Sequence, residues 1–585
     1  MVRVKMAANV PVVAVRGSTG ISISLGPPSY DLVSSFARED SKTCKTMAFD
    51  PTGKYFAWAN GTCVKIASTN TWKVLAEIPR PKVSNITFSP KGTYIMTWEQ
   101  YMVTPANPQG GPNLYIWKSD TGDLIKEFVQ KKLFGWEPQW SQDEKICARI
   151  VNNDVLFYEN ANFNAVANKI HIQKVENFSL APGTPPYHVL CYCPGKSGQP
   201  SFGRLFQYPK FDSNSSLANK SFFQADKVEM MWNKKGNGVL LMTSTDVDKS
   251  GSSYYGKQAL HFISTKGETA MVLLSKEGPI YSVEWSPKGN EFCVIYGFVP
   301  AKATLYNIKC EPVFDFGTGP RNCVHYNPHG NILLLGGFGN LQGYVEIWDT
   351  QAKKLITKMS APDTTLLLWS PDGEHFMTAT TAPRLRVGNG FKIWHYTGSL
   401  LYERPWNKQE ELWEVLWQQF PQGVFKEPPI SYKPVEGIQP SQTPASTQVY
   451  RPPSARGRES NFRLHEDEPP TNLKPESNPS KAALKQKKKR EAKKARKEQD
   501  NSQVVTNGES APVTSHTVKL PPAIAEVEMP DDPEKSKKIK KIKSKLTEIS
   551  RLKEQRAAGR RLELNQLEKI KKEDELLKEL QSLVL

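Results

Sequence analysis

The first 426 residues predict an all-β fold, a closed β-propeller, and three observations carry the prediction. A turn phrase recurs in which a small polar residue is followed by Pro, a polar residue and Gly. It reads Asp50-Pro51-Thr52-Gly53, Ser89-Pro90-Lys91-Gly92, Ser286-Pro287-Lys288-Gly289, Asn327-Pro328-His329-Gly330 and Ser370-Pro371-Asp372-Gly373. An aromatic residue stands directly before each phrase, as Phe49, Phe88, Trp285, Tyr326 and Trp369. Between the turns runs a strand-like phrase with an aromatic near its end: Leu114-Tyr115-Ile116-Trp117, Val155-Leu156-Phe157-Tyr158, Val345-Glu346-Ile347-Trp348-Asp349 and Phe391-Lys392-Ile393-Trp394.

The turn phrase has the chemistry of a type I turn: Asp, Asn or Ser caps the first position, Pro presets φ at the second, and Gly closes it. Weaker copies fill the gaps. Trp140-Ser141-Gln142-Asp143 lacks Pro and Gly, and Trp232-Asn233-Lys234-Lys235-Gly236 lacks only Pro. Leu180-Ala181-Pro182-Gly183 is degenerate, and Trp417-Gln418-Gln419 before Gly423 is stretched. That makes nine copies, 39 to 53 residues apart. A four-stranded repeat of about 40–45 residues is the signature of a propeller blade, and Trp348-Asp349 is the pair that names WD repeats. Unrelated hairpins in a sandwich would also give regular turns, but nine copies in one register argue against them. The fold class is a WD-repeat-like β-propeller of nine blades, above the usual four to eight.

An open array would leave a sheet edge exposed. The strand-like stretches at 12–15 and 21–24, joined at 17–20, precede the first turn copy and are expected to complete the last blade.

Composition divides the chain. All 14 Trp and all 8 Cys lie before Phe420, and after Lys426 the aromatics are Tyr432, Tyr450 and Phe462 alone. The remaining 159 residues hold too little apolar surface to fold compactly by themselves. Of the net charge of +18, half falls after residue 426, which favours a polyanionic partner. Residues 427–480 have the Pro-, Ser-, Gln- and Glu-rich composition of a disordered linker. A basic helix is expected at 481–499, where Ala482, Ala483, Ala492 and Ala495 favour helix. A second linker follows at 500–534. In 535–585, Ile539, Ile542, Leu546, Ile549 and Leu552 recur at three- and four-residue steps, an amphipathic basic helix or helix pair interrupted near Gly559.

Catalytic chemistry has no foothold in these residues, so the chain is expected to be a non-enzymatic scaffold without cofactor or metal. The cysteines form no CxxC pair and no zinc-like spacing with His. Cys191 and Cys193 read as strand packing. Gly195-Lys196-Ser197 resembles the end of a phosphate-binding loop, but Leu190 stands where that motif needs Gly and no helical pattern follows. Gly336-Gly337-Phe338-Gly339 leads into a strand and reads as a hairpin loop. The nine His sit singly. No run of about 20 apolar residues and no signal peptide is visible, so a reduced, cytoplasmic setting without membrane contact is expected.

The basic clusters carry the functional signal. Lys485, Lys487, Lys488, Lys489, Arg490, Lys493, Lys494, Arg496 and Lys497 would surround a helix with cations. Lys537, Lys538, Lys540, Lys541, Lys543 and Lys545 alternate with an apolar stripe. Without interleaved aromatics such cations meet phosphates rather than stack on bases, which makes them candidate RNA-binding residues. A nuclear-localisation patch or a solubilising tail are the other readings. An anionic membrane would need apolar anchors that 481–497 lacks.

Several longer stretches are more specific. They are Lys220-Ser221-Phe222-Phe223-Gln224-Ala225-Asp226-Lys227-Val228, Phe314-Asp315-Phe316-Gly317-Thr318-Gly319-Pro320-Arg321-Asn322, Ala382-Pro383-Arg384-Leu385-Arg386 and the run Gly390-Phe391-Lys392-Ile393-Trp394-His395-Tyr396-Thr397-Gly398. With Leu464-His465-Glu466-Asp467-Glu468-Pro469-Pro470 in the tail, they resemble the eukaryotic translation initiation factor 2A family, the single-chain factor rather than the similarly named heterotrimer. The resemblance runs over essentially the whole chain. It implies a nine-bladed propeller that associates with the small ribosomal subunit and delivers initiator Met-tRNA without GTP hydrolysis of its own, including initiation at non-AUG codons. Contacts with mRNA and with other initiation factors are expected partners on the same ground. The family supplies no catalytic residues to carry over. The other reading is a protein–protein scaffold with a nuclear-localising tail; co-sedimentation with small ribosomal subunits separates the two.

Overall fold

The structure is a computed structural model. It describes residues 10–441 except 106, 196–198, 213, 224 and 246–255, together with tail positions 542, 546, 549, 550, 553, 573, 576 and 577. The chain divides into two compact units, residues 1–450 and 451–585.

The first unit consists of nine antiparallel sheets. Blade 1 runs Thr46–Phe49, Tyr55–Ala59, Val64–Ser68 and Val74–Ile78, hydrogen-bonded in that order. Blades 2 to 8 repeat this meander from first strands at Val83–Phe88, Gln139–Trp140, Asn177–Leu180, Lys227–Trp232, Ile280–Trp285, Cys323–Tyr326 and Leu366–Trp369. Blade 9 is assembled from both ends of the chain. Its first strand is Leu412–Trp417, and Val12–Gly17 and Gly20–Leu25 pair onto it in that order. Residues further on add an edge through the bridges Ser24–Leu32 and Ile21–Glu39. The expected closure is therefore present. It also explains the stretched ninth turn copy, because the strand that pairs with 412–417 comes from the N-terminus and no hairpin has to form there.

The turn phrase adopts the geometry its residues dictate. In each full copy the Gly N–H donates to the carbonyl three residues back, from Gly53 to Asp50 at 3.0 Å through Gly373 to Ser370 at 3.0 Å. These glycines have φ near +75°, a conformation that costs side chains dearly. In the copy without Gly, Glu144 takes the position at φ +61°.

Nine apolar clusters hold the ring, and each joins two adjacent blades. The residue before each turn lies in the cluster shared with the preceding blade. Phe88 packs between blades 1 and 2, Trp285 between 5 and 6, Tyr326 between 6 and 7, and Trp417 between 8 and 9. Val12, Ala14, Ile21 and Ile23 of blade 9 meet Met47, Phe49, Phe56 and Trp58 of blade 1, which closes the circle. The strand phrase has its own role in blades 2 and 8, where the Trp117 and Trp394 indoles donate to Thr97 and Thr378 on the neighbouring strand, at 3.0 and 2.9 Å.

Residues 427–441, which their composition placed in the linker, run along blades 7 and 8. Ile430 packs into the cluster those blades share. The Ser431 N–H donates to the Tyr396 hydroxyl at 2.7 Å, the Tyr432 hydroxyl donates to Asp349 at 2.8 Å, and the Ile438 N–H donates to the Leu400 carbonyl at 2.7 Å. A chain ending at 426 is expected to be less stable than one ending at 441 by about 2–4 kcal/mol, from a few hydrogen bonds and one partly buried Ile. Thermal denaturation of the two truncations checks this, and equal midpoints would refute it.

In the second unit, positions 542, 546, 549, 550 and 553 are helical, as are 573, 576 and 577. Ile542 and Leu546 pack against Leu576 and Leu577, and Lys553 pairs with Glu573. Of the apolar stripe read at three- and four-residue steps, the described members Ile542, Leu546 and Ile549 are buried.

Candidate interaction faces

Successive strands of a meander run in opposite directions, so their connections alternate between the two faces of the ring. The loops from second to third strand and from blade to blade lie on one side, the loop face. The turns from first to second and from third to fourth strand lie on the other, the turn face.

The two faces differ in chemistry. The loop face exposes Met102, Val103, Leu133, Phe134, Phe298 and Val387 in its connections, with Phe223 and Leu273 75% and 77% exposed. Among the described 1–2 and 3–4 turns, only Val166 is an exposed large apolar residue. Large apolar residues left exposed on one side mark candidate sites of association. On the loop face they are interspersed with cations. Arg80 stacks on Tyr115 at 3.8 Å, Lys131 lies over Tyr101 at 5.3 Å, and Lys132 neighbours Leu133 and Phe134. The surrounding loops are tied together, since Asn113 donates to the Gln130 carbonyl at 2.8 Å and accepts the Gln130 N–H at 2.7 Å.

Three of the stretches that carry the family resemblance reach this face. Phe223 belongs to the connection from blade 4 to 5, Gly319-Pro320-Arg321-Asn322 to that from 6 to 7, and Ala382-Pro383-Arg384-Leu385-Arg386 to the 2–3 loop of blade 8. Arg321 is buried and pairs with buried Glu346 of blade 7 at 2.6 Å, while donating to the carbonyls of Phe316 and Gly317. Asn322 clamps the adjacent loop, donating to the Phe338 carbonyl at 2.7 Å and accepting its N–H at 3.0 Å. That loop, which begins in Gly336-Gly337-Phe338-Gly339, joins two paired strands as a hairpin.

The central channel holds an ion-pair geometry. Glu284 of blade 6 accepts the Tyr326 N–H at 3.0 Å and lies 3.5 Å from His325 of blade 7. About a third of each side chain is open to the channel and protein surrounds the rest. Burial raises the Glu284 carboxyl to about 7 and lowers His325 to about 4. Burial likewise lowers His261 and His395 to about 4. These three histidines are neutral in the fold but take up protons near pH 6.5 once unfolded. Their contribution to stability is therefore complete above about pH 6.5 and is lost as the pH falls towards 4. Glu284 acts in the opposite sense, favouring the fold as pH drops from about 7 to 4.5, as do Glu99 and Glu137, which burial also raises. Against them stand a fourth histidine lowered by burial, His188, and the carboxylates of Glu39, Asp143, Asp372 and Glu403, which despite burial their hydrogen bonds hold low, so the balance favours loss of stability in acid. Thermal midpoints are expected to fall between pH 6.5 and 4; a flat profile would contradict the assignment.

Among the described residues no three His, Cys, Asp or Glu side chains gather to hold a metal. Cys191 and Cys193 pack in one apolar cluster. Leu190 is fully buried in a strand, and Lys196 and Ser197 lie outside the described residues. No described helix is long and apolar enough to cross a membrane. The cations proposed for RNA binding, from Lys485 to Lys497 and from Lys537 to Lys545, all lie outside the described residues. The loop face leaves little trace in the sequence because its members come from separate connections. Its one local trace is Lys131-Lys132-Leu133-Phe134, where apolar residues follow cations outside any strand pattern.

The family model described as eukaryotic translation initiation factor eIF2A matches residues 220–415, which include all four propeller stretches named above. The chain is similar to eukaryotic translation initiation factor 2A of Drosophila melanogaster, with 41% identity over 98% of both chains. It is also similar to the protein of that name from Caenorhabditis elegans, at 35% identity over 98% of this chain and 99% of the other. A solved structure described as a eukaryotic initiation factor matches with a TM-score of 0.65 and 33% identity, over 71% of this chain and all of its own.

Proposed function

The chain belongs to the eukaryotic translation initiation factor 2A family, and from that premise we propose that it binds the small ribosomal subunit and promotes delivery of initiator Met-tRNA without a GTPase of its own, including at alternative start codons. Its role is that of a translation initiation factor. In this reading the loop face docks on the translation machinery in the cytoplasm, and the basic tail holds RNA by its phosphates. The one-sided exposure of apolar residues on the loop face carries the docking part. A ring with two equivalent faces would spread such residues over both.

Co-sedimentation of the full chain with purified small ribosomal subunits tests it. Replacing Leu133, Phe134 and Phe223 together with Ser is expected to reduce co-sedimentation about tenfold or more, as removal of a few central apolar anchors does at interfaces. Unchanged co-sedimentation of a folded variant would move docking elsewhere.

The tail part has a separate test. Replacing the Lys and Arg residues within 487–497 with Gln is expected to weaken binding about equally for unrelated RNA sequences. Each lost phosphate contact should lower the log–log salt slope by roughly 0.7–0.9. Loss of one sequence only would mean that the tail reads bases. The protein-scaffold reading is favoured instead if the chain fails to co-sediment and an intact tail leaves RNA unbound.

A further inference from the structure

The turn face carries a pattern that the docking proposal does not use. The 1–2 turns of blades 1, 2, 3, 5 and 6 present Lys54, Lys91, Lys145, Lys234, Lys235 and Lys288, all exposed. Acids in the same turns are occupied from within the ring. Asp50 accepts the Thr52 hydroxyl and, at 2.6 Å, the Tyr55 N–H. Asp143 accepts the hydroxyls of Ser141 and Tyr187, both at 2.7 Å, and Glu144 accepts the Ser89 hydroxyl at 2.5 Å and the Lys91 N–H at 2.7 Å. Among the described residues, Lys288 alone of the six makes an ion pair, with Glu427 at 3.5 Å and on the surface.

These turns touch one another, so the lysines form an arc rather than scattered points. A side chain at Gly92 would strike the Asp50 carboxylate, which brings turns 1 and 2 together. Ser89 reaches Glu144 across turns 2 and 3, and Tyr187 reaches Asp143 across 3 and 4. Gly236 lies against the Pro182 carbonyl across 4 and 5. Asn233 donates to the Gly289 carbonyl at 2.9 Å across 5 and 6.

We infer that this arc binds the phosphate backbone of nucleic acid, giving the propeller a polyanion site of its own on the turn face, separate from the basic tail. Three features point there together. The cations are repeated and outnumber the acids near them: Lys288 pairs with Glu427, Lys234 feels Glu284 and Lys145 feels Asp143 without an ion pair, and phosphate contacts draw on such an excess of positive charge. The 1–2 turns that bear them expose no large apolar side chain, whereas a protein partner is anchored by buried apolar and aromatic groups. A membrane surface would likewise need apolar residues to insert. The loop face, with its exposed Phe and Leu residues, is the complementary case.

The test uses the full chain and a fluorescent poly-uridine oligonucleotide as probe, with a labelled RNA hairpin of unrelated sequence as a second. The six lysines are changed to Gln in the natural chain and in the chain whose 487–497 cations are already Gln. In both backgrounds the arc substitutions are expected to weaken binding of both probes about tenfold or more and to lower the log–log salt slope by roughly 2–4, from about three to five lost contacts. The six-fold Lys→Arg variant should keep the slope, and thermal midpoints of all variants should match. An unchanged slope in both backgrounds overturns the inference while leaving the tail proposal intact. If the tail variant binds normally and only the arc variant is impaired, the tail proposal fails and the arc stands. Loss of one probe only would mean base recognition, and displacement by poly-glutamate as readily as by unlabelled RNA would mean a general charge sink; either result overturns a phosphate-backbone site.

Discussion

Deleting residues 1–25 is expected to abolish the folded propeller rather than trim it. The segment supplies two strands of blade 9, and Val13, Val15, Ile21 and Ile23 within it are almost wholly buried. Burial of such side chains contributes about 1.5–3 kcal/mol each, together about 6–12 kcal/mol, against a net stability of about 5–15 kcal/mol for a typical domain. Polar ties go with them: Arg16 pairs with Glu414 at 2.9 Å, and the Gln418 N–H donates to the Val12 carbonyl at 2.8 Å. The strand at 412–417 would be left with an open edge inviting pairing with other chains. The measurement is the thermal midpoint and the oligomeric state of the deleted protein. An unchanged midpoint with a monomeric chain would show that the ring does not depend on this closure. Arg16→Ala, which removes a largely buried ion pair and a hydrogen bond to the Cys44 carbonyl but spares the apolar strands, should cost about 1–3 kcal/mol, so the contrast between the two variants identifies apolar closure as the cause.

Glu346→Ala is expected to be among the most damaging single substitutions in the ring, costing about 3–5 kcal/mol, because it strands a buried guanidinium. The Arg321 and Glu346 side chains are 4% and 5% exposed, which leaves no water to take over the lost charge. Glu346 also accepts the Trp348 indole at 3.3 Å and pairs with half-exposed Lys358 at 3.1 Å. The damage should spread to the loop face, since Arg321 adjoins Asn322, which holds the Phe338 loop. Glu346→Gln, which keeps an acceptor for the guanidinium but not the charge, should fall between. Replacing Arg321 and Glu346 together with Met should recover most of the loss, since a buried ion pair exchanged for apolar residues of similar volume is often close to neutral. Chemical denaturation of the three variants decides it: a double variant as unstable as Glu346→Ala would mean that the hydrogen bonds, not the stranded charge, carry the effect.

Local chemistry was legible wherever one short stretch contains the whole physical cause. A turn needs a capping residue, Pro and Gly within four positions, so Ser286-Pro287-Lys288-Gly289 announces its conformation wherever it is placed. The aromatic before it faces the neighbouring blade because strand side chains alternate and the preceding position points into the interface. Nine such units determine the fold class, and the two unclaimed strands at the N-terminus imply how it closes. The segregation of aromatics likewise separates a packed front from a tail that is rich in charge.

Tertiary structure decided what depends on distant residues meeting. Asn327 reads as a turn cap, but its amide also donates to the Gly373 carbonyl at 3.0 Å, and Gln418 donates to the Gly53 carbonyl at 2.8 Å across the closure. Neither partner lies within the turn, so no local pattern reveals that the caps link the turns to one another. Residues 427–441 look like linker because Pro and polar residues dominate them, yet Ile430, Tyr432 and Ile438 find partners on blades 7 and 8 that only the folded ring brings within reach. The same holds for function. Lys54, Lys91 and Lys145 are ordinary surface lysines in sequence, and Phe134 and Phe223 are ordinary apolar residues. The alternation of connections around a closed meander sorts the lysines onto one face and the phenylalanines onto the other, and that sorting exists only once the ring has formed.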